Sequence, residues 1–148
     1  MHVRVETKFF NSMLINAHSP TEDKEDHIKD QFFYELEIAY DSVSLNYFKI
    51  ILGDLNAKVG KEQENEGTIE LHSLHEQSNN NGERLTYFAM SKNMIISSTI
   101  FPHKHVAYIK EPGLHQTGTT FNQIDHVLIG RRFAISILDK CLLYQEFH

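Results

Sequence analysis

The sequence contains one cysteine, Cys141, no tryptophan and three prolines among its 148 residues. A single cysteine excludes an internal disulfide and a zinc–cysteine site, and it is typical of a reducing compartment. The sequence has no run of about 18 apolar residues, so we expect no membrane-spanning helix. Residues 1–6 lack the apolar core of a signal peptide. Together these absences favour an intracellular protein that does not cross a membrane.

Basic residues are also scarce. Lysine and arginine number 14 against 20 aspartates and glutamates, which leaves a net charge of −6. Nucleic-acid-binding proteins usually carry a basic surface, so this balance argues against strong non-specific DNA binding. The ten histidines add positive charge only below about pH 6.5. We predict that the acidic segment is a solvated helix face rather than a partner site; it comprises Glu22, Asp23, Glu25, Asp26 and Asp30.

The length allows one domain with a hydrophobic core. Residues 2–17 predict a β-hairpin, with a turn at residues 6–8. Pro20 ends the second strand, and Thr21 is the predicted N-cap of a helix over residues 22–42. Apolar residues spaced by three or four positions form one face of this helix; they are Ile28, Phe32, Leu36, Ala39 and Val43.

A second helix is predicted over residues 82–93, capped by the asparagines at 79–81, with Leu85, Phe88 and Ala89 facing inward. Residues 94–100, 106–109 and 121–129 are predicted strands, separated by a turn at 101–105 and a loop at 111–119. The polar segment 61–80 is predicted to be a surface loop. Strand, helix and strand in succession indicate an α/β fold with a helix covering a sheet.

The central strand and the residues that follow it are the most informative stretch. Ile50, Ile51 and Leu52 predict a buried strand, and Gly53 allows the backbone to leave it. In extended backbone, Asp54 and Asn56 would project to the same side. A carboxylate beside an amide suits a hard divalent cation and a phosphate oxygen. The alternative is a plain β-turn, for which this sequence is equally suitable.

Four motifs in order carry a resemblance to a known family. They are ILGDLN at 51–56, NNNGERL at 79–85, FPHK at 101–104 and FNQIDHVLI at 121–129. The chain resembles the endonuclease domain of non-LTR retrotransposons, within the craniofacial development protein 2-like branch of the endonuclease/exonuclease/phosphatase superfamily. The likeness extends from about Val5 to Leu138. It implies the DNase I-like fold, a four-layer α/β/β/α sandwich, of which this chain would hold a part.

The resemblance implies Mg²⁺-dependent hydrolysis of DNA phosphodiesters. Asp54 would hold the metal ion and position the attacking water, and Asn56 would bind a phosphate oxygen. Asp125 would orient a catalytic histidine, a pairing used in general acid–base catalysis. The alternative for Asp125 is a solvent-facing carboxylate on an edge strand. We expect His126 to be a packing or surface histidine.

Three further residues are candidates for phosphate contacts. His18 lies in a motif, Ala17 to Pro20, that resembles the retroelement form, and the alternative is an ordinary histidine at a strand end. Arg84 on the first turn of the second helix could meet a phosphate or form a surface salt bridge. Lys104 could contact a phosphate beside a stacking ring from Phe101, or both could belong to a turn.

The sequence also departs from the family. Two parts of the family's domain have no counterpart here: the N-terminal third, with the principal metal-binding glutamate, and the C-terminal Ser-Asp-His motif. We therefore expect residues 1–148 to be a single truncated domain with little or no activity. Such a domain would expose an apolar sheet face through which it could self-associate. The alternatives are a non-catalytic remnant or binding domain, and a phosphoesterase acting on a phospholipid or phosphoinositide, which the NNNGERL, FPHK and NQIDHVLI motifs disfavour. A functional enzyme of this type would be nuclear.

Overall fold

The computed structural model describes residues 2–6, 11–61, 68, 75–99 and 125–134. These residues form a five-stranded sheet with two long α-helices, and residues 131–134 add a helical turn directly after the last strand. In chain order the strands are β1 (His2–Glu6), β2 (Asn11–Asn16), β3 (Phe48–Asp54), β4 (Met94–Ile96) and β5 (Asp125–Gly130). The α/β class predicted from the sequence is therefore confirmed, whereas the four-layer sandwich stays a prediction.

The strands lie in the order β1-β2-β3-β5-β4. The predicted hairpin is present, since β1 pairs antiparallel with β2. β2 and β3 pair in parallel, and β5 lies antiparallel between β3 and β4. The carboxyl ends of β2 and β3 therefore meet at one edge of the sheet, together with the start of β5.

Two helices pack on one face of this sheet. Helix α1 (Asp26–Asp41) connects β2 to β3, and α2 (Asn80–Ser91) precedes β4. Leu36 of α1 and Leu85 of α2 are buried in one cluster with Ile51 at the centre of β3. The predicted inner face of α2 is confirmed, because Leu85, Phe88 and Ala89 are all buried.

Helix α1 differs from its prediction at two points. It begins at Asp26 instead of residue 22, because Lys24 N donates to Thr21 O (3.1 Å) in a turn that precedes the helix. Thr21 is therefore not its N-cap; Glu25 holds that position without a side-chain hydrogen bond. Ile28, predicted to face inward, is 39% exposed, and its neighbour Lys29 is buried.

Lys29 is buried because its ammonium group forms hydrogen bonds with the segment before α1 and with the start of α2. Nζ donates to Glu22 O (2.7 Å) and to Asn80 Oδ1 (3.4 Å). The backbone N–H groups of Asn80 and Asn81 in turn donate to the two carboxylate oxygens of Glu22, both at 3.1 Å. Glu22 thus caps the positive end of α2 from a distant part of the chain. The acidic segment is exposed as predicted, but it also holds the two helices together.

The strand predicted over 94–100 is shorter. It ends at Ile96 and continues as a 3₁₀-helix (Ser97–Thr99). The predicted turn at 101–105, strand at 106–109 and loop at 111–119 lie outside the described residues, as does most of the polar segment after Lys61. In the described part of the chain, no helix combines the length and apolar character that a membrane span requires.

The second face of the sheet carries apolar residues in register. Leu14, Ile50 and Ile129 are aligned across three strands and are partly buried, and Val127 is 38% exposed. Both helices pack on the opposite face, where Ile15, Ile51 and Leu128 are buried. Self-association through the apolar face stays a prediction.

Candidate active site

The candidate site lies where β2 and β3 end side by side. Beyond the strands, Ala17 N donates to Leu52 O (2.9 Å) and Ser19 N donates to Asp54 O (3.0 Å). These bonds prolong the parallel pairing by a few residues and hold the segment after β2 against the segment after β3. The site residues His18, Asp54 and Asn56 are thereby brought to one edge of the sheet.

Gly53 makes this close approach feasible. Its φ angle is +139°, and a Cβ atom placed there would lie 1.9 Å from Ala17 O. Neither the backbone conformation nor the space admits another residue. The strand nevertheless continues through Gly53 to Asp54, so the expectation that the chain leaves the strand at Gly53 is wrong. What requires the glycine is Ala17, the residue after β2, whose carbonyl lies directly against it.

Asp54 and Asn56 form an Asx turn. Asn56 N donates to Asp54 Oδ1 (3.1 Å), and Asn56 has a φ angle of +45°, in the left-handed region. The two side chains are therefore not arranged by extended backbone, as the spacing predicted, because the chain turns between them. The turn alternative describes the backbone correctly, and it still leaves both side chains at the same sheet edge.

The second oxygen of Asp54 faces His18. His18 Nδ1 lies 3.7 Å from Asp54 Oδ2, with the histidine side chain 76% exposed and the aspartate side chain 36% exposed. A protonated His18 would form a weak, solvent-screened ion pair with Asp54. The structure thus places His18 beside Asp54, in a position from which both can reach a ligand from solvent.

Asp125 is the first residue of β5 and the direct partner of Asp54 in the antiparallel register. Directly paired residues of such strands have Cα atoms about 4.5–5.5 Å apart. Two aspartates separated by 71 positions in the sequence therefore occupy one rung at the end of the sheet. Gly53 and His126 form the next rung.

His126 is a packing residue, as predicted. It is 2% exposed, and its Nε2 lies 2.8 Å from Ala57 O. Since a carbonyl oxygen can only accept, Nε2 carries a proton in this contact. His126 therefore holds the loop after Asn56 against β5.

Asn81 holds the site loops together and was misassigned from the sequence. It is fully buried, and its Nδ2 donates to Pro20 O (2.9 Å) and to Asn56 O (3.1 Å). The cap of α2 is instead Asn79, whose Oδ1 accepts from Gly82 N (2.8 Å) and Lys58 N (2.9 Å). Asparagine is a preferred residue at helix N-termini, so the sequence predicted a cap at Asn81 and gave no indication that it bridges two loops.

Ser19 is a second supporting residue that the sequence did not single out. It is 1% exposed, its Oγ donates to Leu55 O (2.5 Å), and its carbonyl accepts from Asn56 Nδ2 (2.9 Å). These two bonds, like the one from Ser19 N to Asp54 O, cross between the segments after β2 and β3. Only the position of Ser19 between His18 and Pro20 in the quoted motif could have indicated it.

Arg84 and Lys104 are not joined to this group by any described contact. Arg84 Nη2 lies 3.3 Å from Asp26 Oδ1, Nη1 pairs with Asp30, and Nε donates to Asn80 Oδ1 (2.9 Å). The salt-bridge alternative for Arg84 thus describes its contacts. Lys104 lies outside the described residues.

The metal-binding capacity of the described residues is small. Among them, no group of three or more histidine, cysteine, aspartate or glutamate side chains is placed to hold a metal ion. Asp54 Oδ1 is already bonded to backbone, which leaves Oδ2 as its outward-facing ligand atom. One carboxylate oxygen fits Mg²⁺ only when waters and phosphate complete the coordination.

Comparison with known proteins gives one distant relationship. No protein-family model matches the chain. The chain is similar to craniofacial development protein 2 of Bos taurus, with 29% identity over 137 residues. The alignment covers 91% of this chain and 22% of the bovine protein, so the chain spans about a fifth of that relative's length. The branch suggested by the sequence motifs is thus supported at the level of a distant relationship.

Proposed function

We propose that this chain belongs to a Mg²⁺-dependent DNA endonuclease domain of the retrotransposon type and supplies part of its phosphate-binding site. The observation that carries the proposal is the pairing of Asp54 with Asp125 on one rung, beside His18 and Asn56. The motifs around these residues resemble the endonuclease family, and the similarity to craniofacial development protein 2 is consistent with that branch.

Each residue has a distinct role in this proposal. Asp54 Oδ2 would hold Mg²⁺, which when bound neutralises charge on a phosphate. The Asn56 side chain has two amide hydrogens. One is donated to Ser19 O, and the other would be donated to a phosphate oxygen. Asp125 would orient an imidazole, and His18 would approach the phosphate from the solvent side.

We further propose that the chain alone is a poor catalyst. A single carboxylate oxygen at Asp54 gives the ion little anchorage. Catalytic groups act as a unit, so an incomplete set can lower the rate by several orders of magnitude. Binding of metal and phosphate at Asp54 should therefore be easier to detect than hydrolysis.

Two measurements test the proposal. The first is paramagnetic broadening by Mn²⁺ of the backbone NMR signals of residues 53–56, in the unaltered chain, in Asp54→Asn and in the control Glu35→Gln. Glu35 is an exposed carboxylate of α1, so this control changes the net charge equally. We expect broadening that Asp54→Asn abolishes and Glu35→Gln preserves. Equal broadening in all three proteins would contradict a metal site at Asp54.

The second measurement is nicking of supercoiled plasmid in Mg²⁺ and in EDTA with the same three proteins. We expect little or no nicking from the chain alone. Metal-dependent nicking that disappears in Asp54→Asn would establish the endonuclease activity and refute the proposed weakness of the isolated chain. Specific broadening without nicking would support the proposal as stated, whereas absence of both would favour a non-catalytic remnant.

A further inference from the structure

A second group of polar residues lies at the opposite end of the sheet. Lys49 is near the start of β3 and Gly130 is at the end of β5, so this end is about 17 Å from Asp54 at roughly 3.3 Å per residue. A cleft of about 160 Å³ opens there. Its lining includes four cations and three aromatic rings; the cations are Lys49, Lys92, Arg131 and Arg132.

The charges of this cleft are unbalanced. Lys92 is paired with Glu37 (2.6 Å) and Asp41 (2.9 Å) on α1. Within the described ranges, Lys49, Arg131 and Arg132 form no ion pair with a carboxylate. Among the described residues, the four cations and two carboxylates therefore leave two uncompensated positive charges, in a chain whose net charge is −6.

Lys49 is the most informative of these cations because it is buried. It is 5% exposed, and its Nζ donates to Tyr40 O (2.9 Å) and lies 4.2 Å from the centre of the Tyr40 ring. Burial lowers its pKa, although nearby Asp41 raises it. A buried ammonium group with a carbonyl and a ring as neighbours is costly unless an anion completes its surroundings.

Both arginines line this cleft, and Arg131 is also fixed by a long hydrogen bond from Nη2 to Thr68 Oγ1 (3.4 Å). Arg131 N donates to Asn93 O (3.0 Å) and its Nε donates to Asn93 Oδ1 (3.0 Å). Arg132 stacks over the Phe133 ring at 4.6 Å. Guanidinium groups present several N–H donors in a planar fork that suits phosphate oxygens.

We propose that this cleft, formed by Lys49, Arg131 and Arg132 between α1 and the end of β5, binds a phosphate group. The charge matches, because a phosphate monoester carries about −1.5 to −2 at pH 7. The cleft, at about 160 Å³, is also smaller than a typical ligand pocket, which favours a small anion over a drug-sized molecule. This site does not depend on the function proposed for the Asp54 edge.

Isothermal titration of the purified chain with three probes tests the site. Inorganic phosphate, deoxyadenosine monophosphate and deoxyadenosine are titrated in a phosphate-free buffer of low ionic strength. We expect both phosphate probes to bind and deoxyadenosine to give no heat. Tighter binding of the monophosphate would identify a phosphate ester as the ligand, and equal binding would identify free phosphate. No binding of either phosphate up to about 10 mM would overturn the proposal.

Variants separate this site from general charge attraction. Arg131→Gln should weaken phosphate binding by about tenfold or more, because a charged hydrogen-bond donor is removed. Lys24→Gln, on the exposed acidic segment, makes the same change in net charge and should leave binding unaltered. Equal weakening in both variants would overturn the assignment. Lys49→Gln should also weaken phosphate binding, and it is the stronger test if circular dichroism shows that the variant is folded. If it is not folded, Arg132→Gln, which alters an exposed residue, takes its place.

Discussion

Asp54 lies directly opposite Asp125 in the antiparallel pairing of β3 with β5. Like charges on one rung of an antiparallel ladder are destabilising. Residues that destabilise a fold in this way are expected where they are kept for binding a ligand and not for stability. The backbone register thus brings together two aspartates from distant parts of the sequence, and the function proposed above rests on that pairing.

Removal of one of these charges should stabilise the protein. We expect Asp125→Asn to raise the free energy of unfolding by about 0.5–1 kcal/mol at low ionic strength, because the repulsion across the rung is lost. Urea denaturation at two salt concentrations measures the effect, which should shrink at high salt. Glu35→Gln is the control for net charge. A loss of stability in Asp125→Asn would contradict the repulsive pairing.

Gly53 should not tolerate a side chain. Gly53→Ala places Cβ 1.9 Å from Ala17 O at a φ angle of +139°, so we expect a loss of about 3 kcal/mol in unfolding free energy. Gly130→Ala is the matched control, since its added Cβ would meet only Phe133 Cδ2 at 3.6 Å. Thermal denaturation of the two variants checks this. Similar stabilities would contradict the close approach of the Ala17 carbonyl to Gly53.

Asn81→Ala should loosen both loops of the candidate site. The change removes a fully buried amide and leaves the partly buried carbonyls of Pro20 and Asn56 without their shared donor, at a cost of about 2–4 kcal/mol. The exposed Asn46 provides the control, for which Asn46→Ala should alter stability by less than about 0.5 kcal/mol. Hydrogen exchange at residues 19 and 56–58 should also accelerate in Asn81→Ala, and unchanged exchange would refute the bridging role.

Glu22 should stabilise α2 through its carboxylate charge. Glu22→Gln weakens two bonds to the helix N-terminus, and we expect a loss of about 1 kcal/mol that diminishes as salt is added. Glu25→Gln is the comparison, because Glu25 pairs only with exposed His27 among the described residues. Denaturant titrations at low and high salt separate the two. Equal effects would show that Glu22 does not act as a cap.

Stability should fall on acidification because of His75. Burial lowers the pKa of His75 below its ordinary value, and nearby Lys58 lowers it further. In the window between the folded-state pKa and about 6.5, the unfolded chain binds more protons, so stability decreases as the pH falls. Urea denaturation of His75→Gln against the unaltered chain should show a smaller pH dependence in the variant. His27→Gln, which changes an exposed histidine, should retain the full dependence.

Much of the fold follows from local patterns. The apolar run before Gly53 predicted β3, and the spacing of Leu85, Phe88 and Ala89 predicted the buried face of α2. The face of α1 was predicted less well, because apolar periodicity assigns Ile28 to the interior. In the structure Lys29 lies inside instead, since it satisfies Glu22 and Asn80 on other segments.

The candidate site shows the same division. Asp54, Asn56 and Asp125 were indicated by their motifs, but the supporting role of Asn81 was not. Its partners, Pro20 and Asn56, are 61 and 25 positions away, and no local pattern encodes such distances. The cleft beside Lys49 was missed for the same reason, because Lys49 and Arg131 are separated by 82 positions.

The sequence by itself determined the hairpin, the central strand, the buried face of α2 and the presence of a carboxylate and an amide after a glycine at the end of β3. Those features depend on hydrophobic periodicity and backbone preference, which act over a few residues. Only the tertiary structure decided that Asp125 pairs with Asp54, that Asn81 bridges two loops and that four cations share one cleft. Strand register and helix packing bring distant residues together, so these relationships arise only when the whole sheet is assembled.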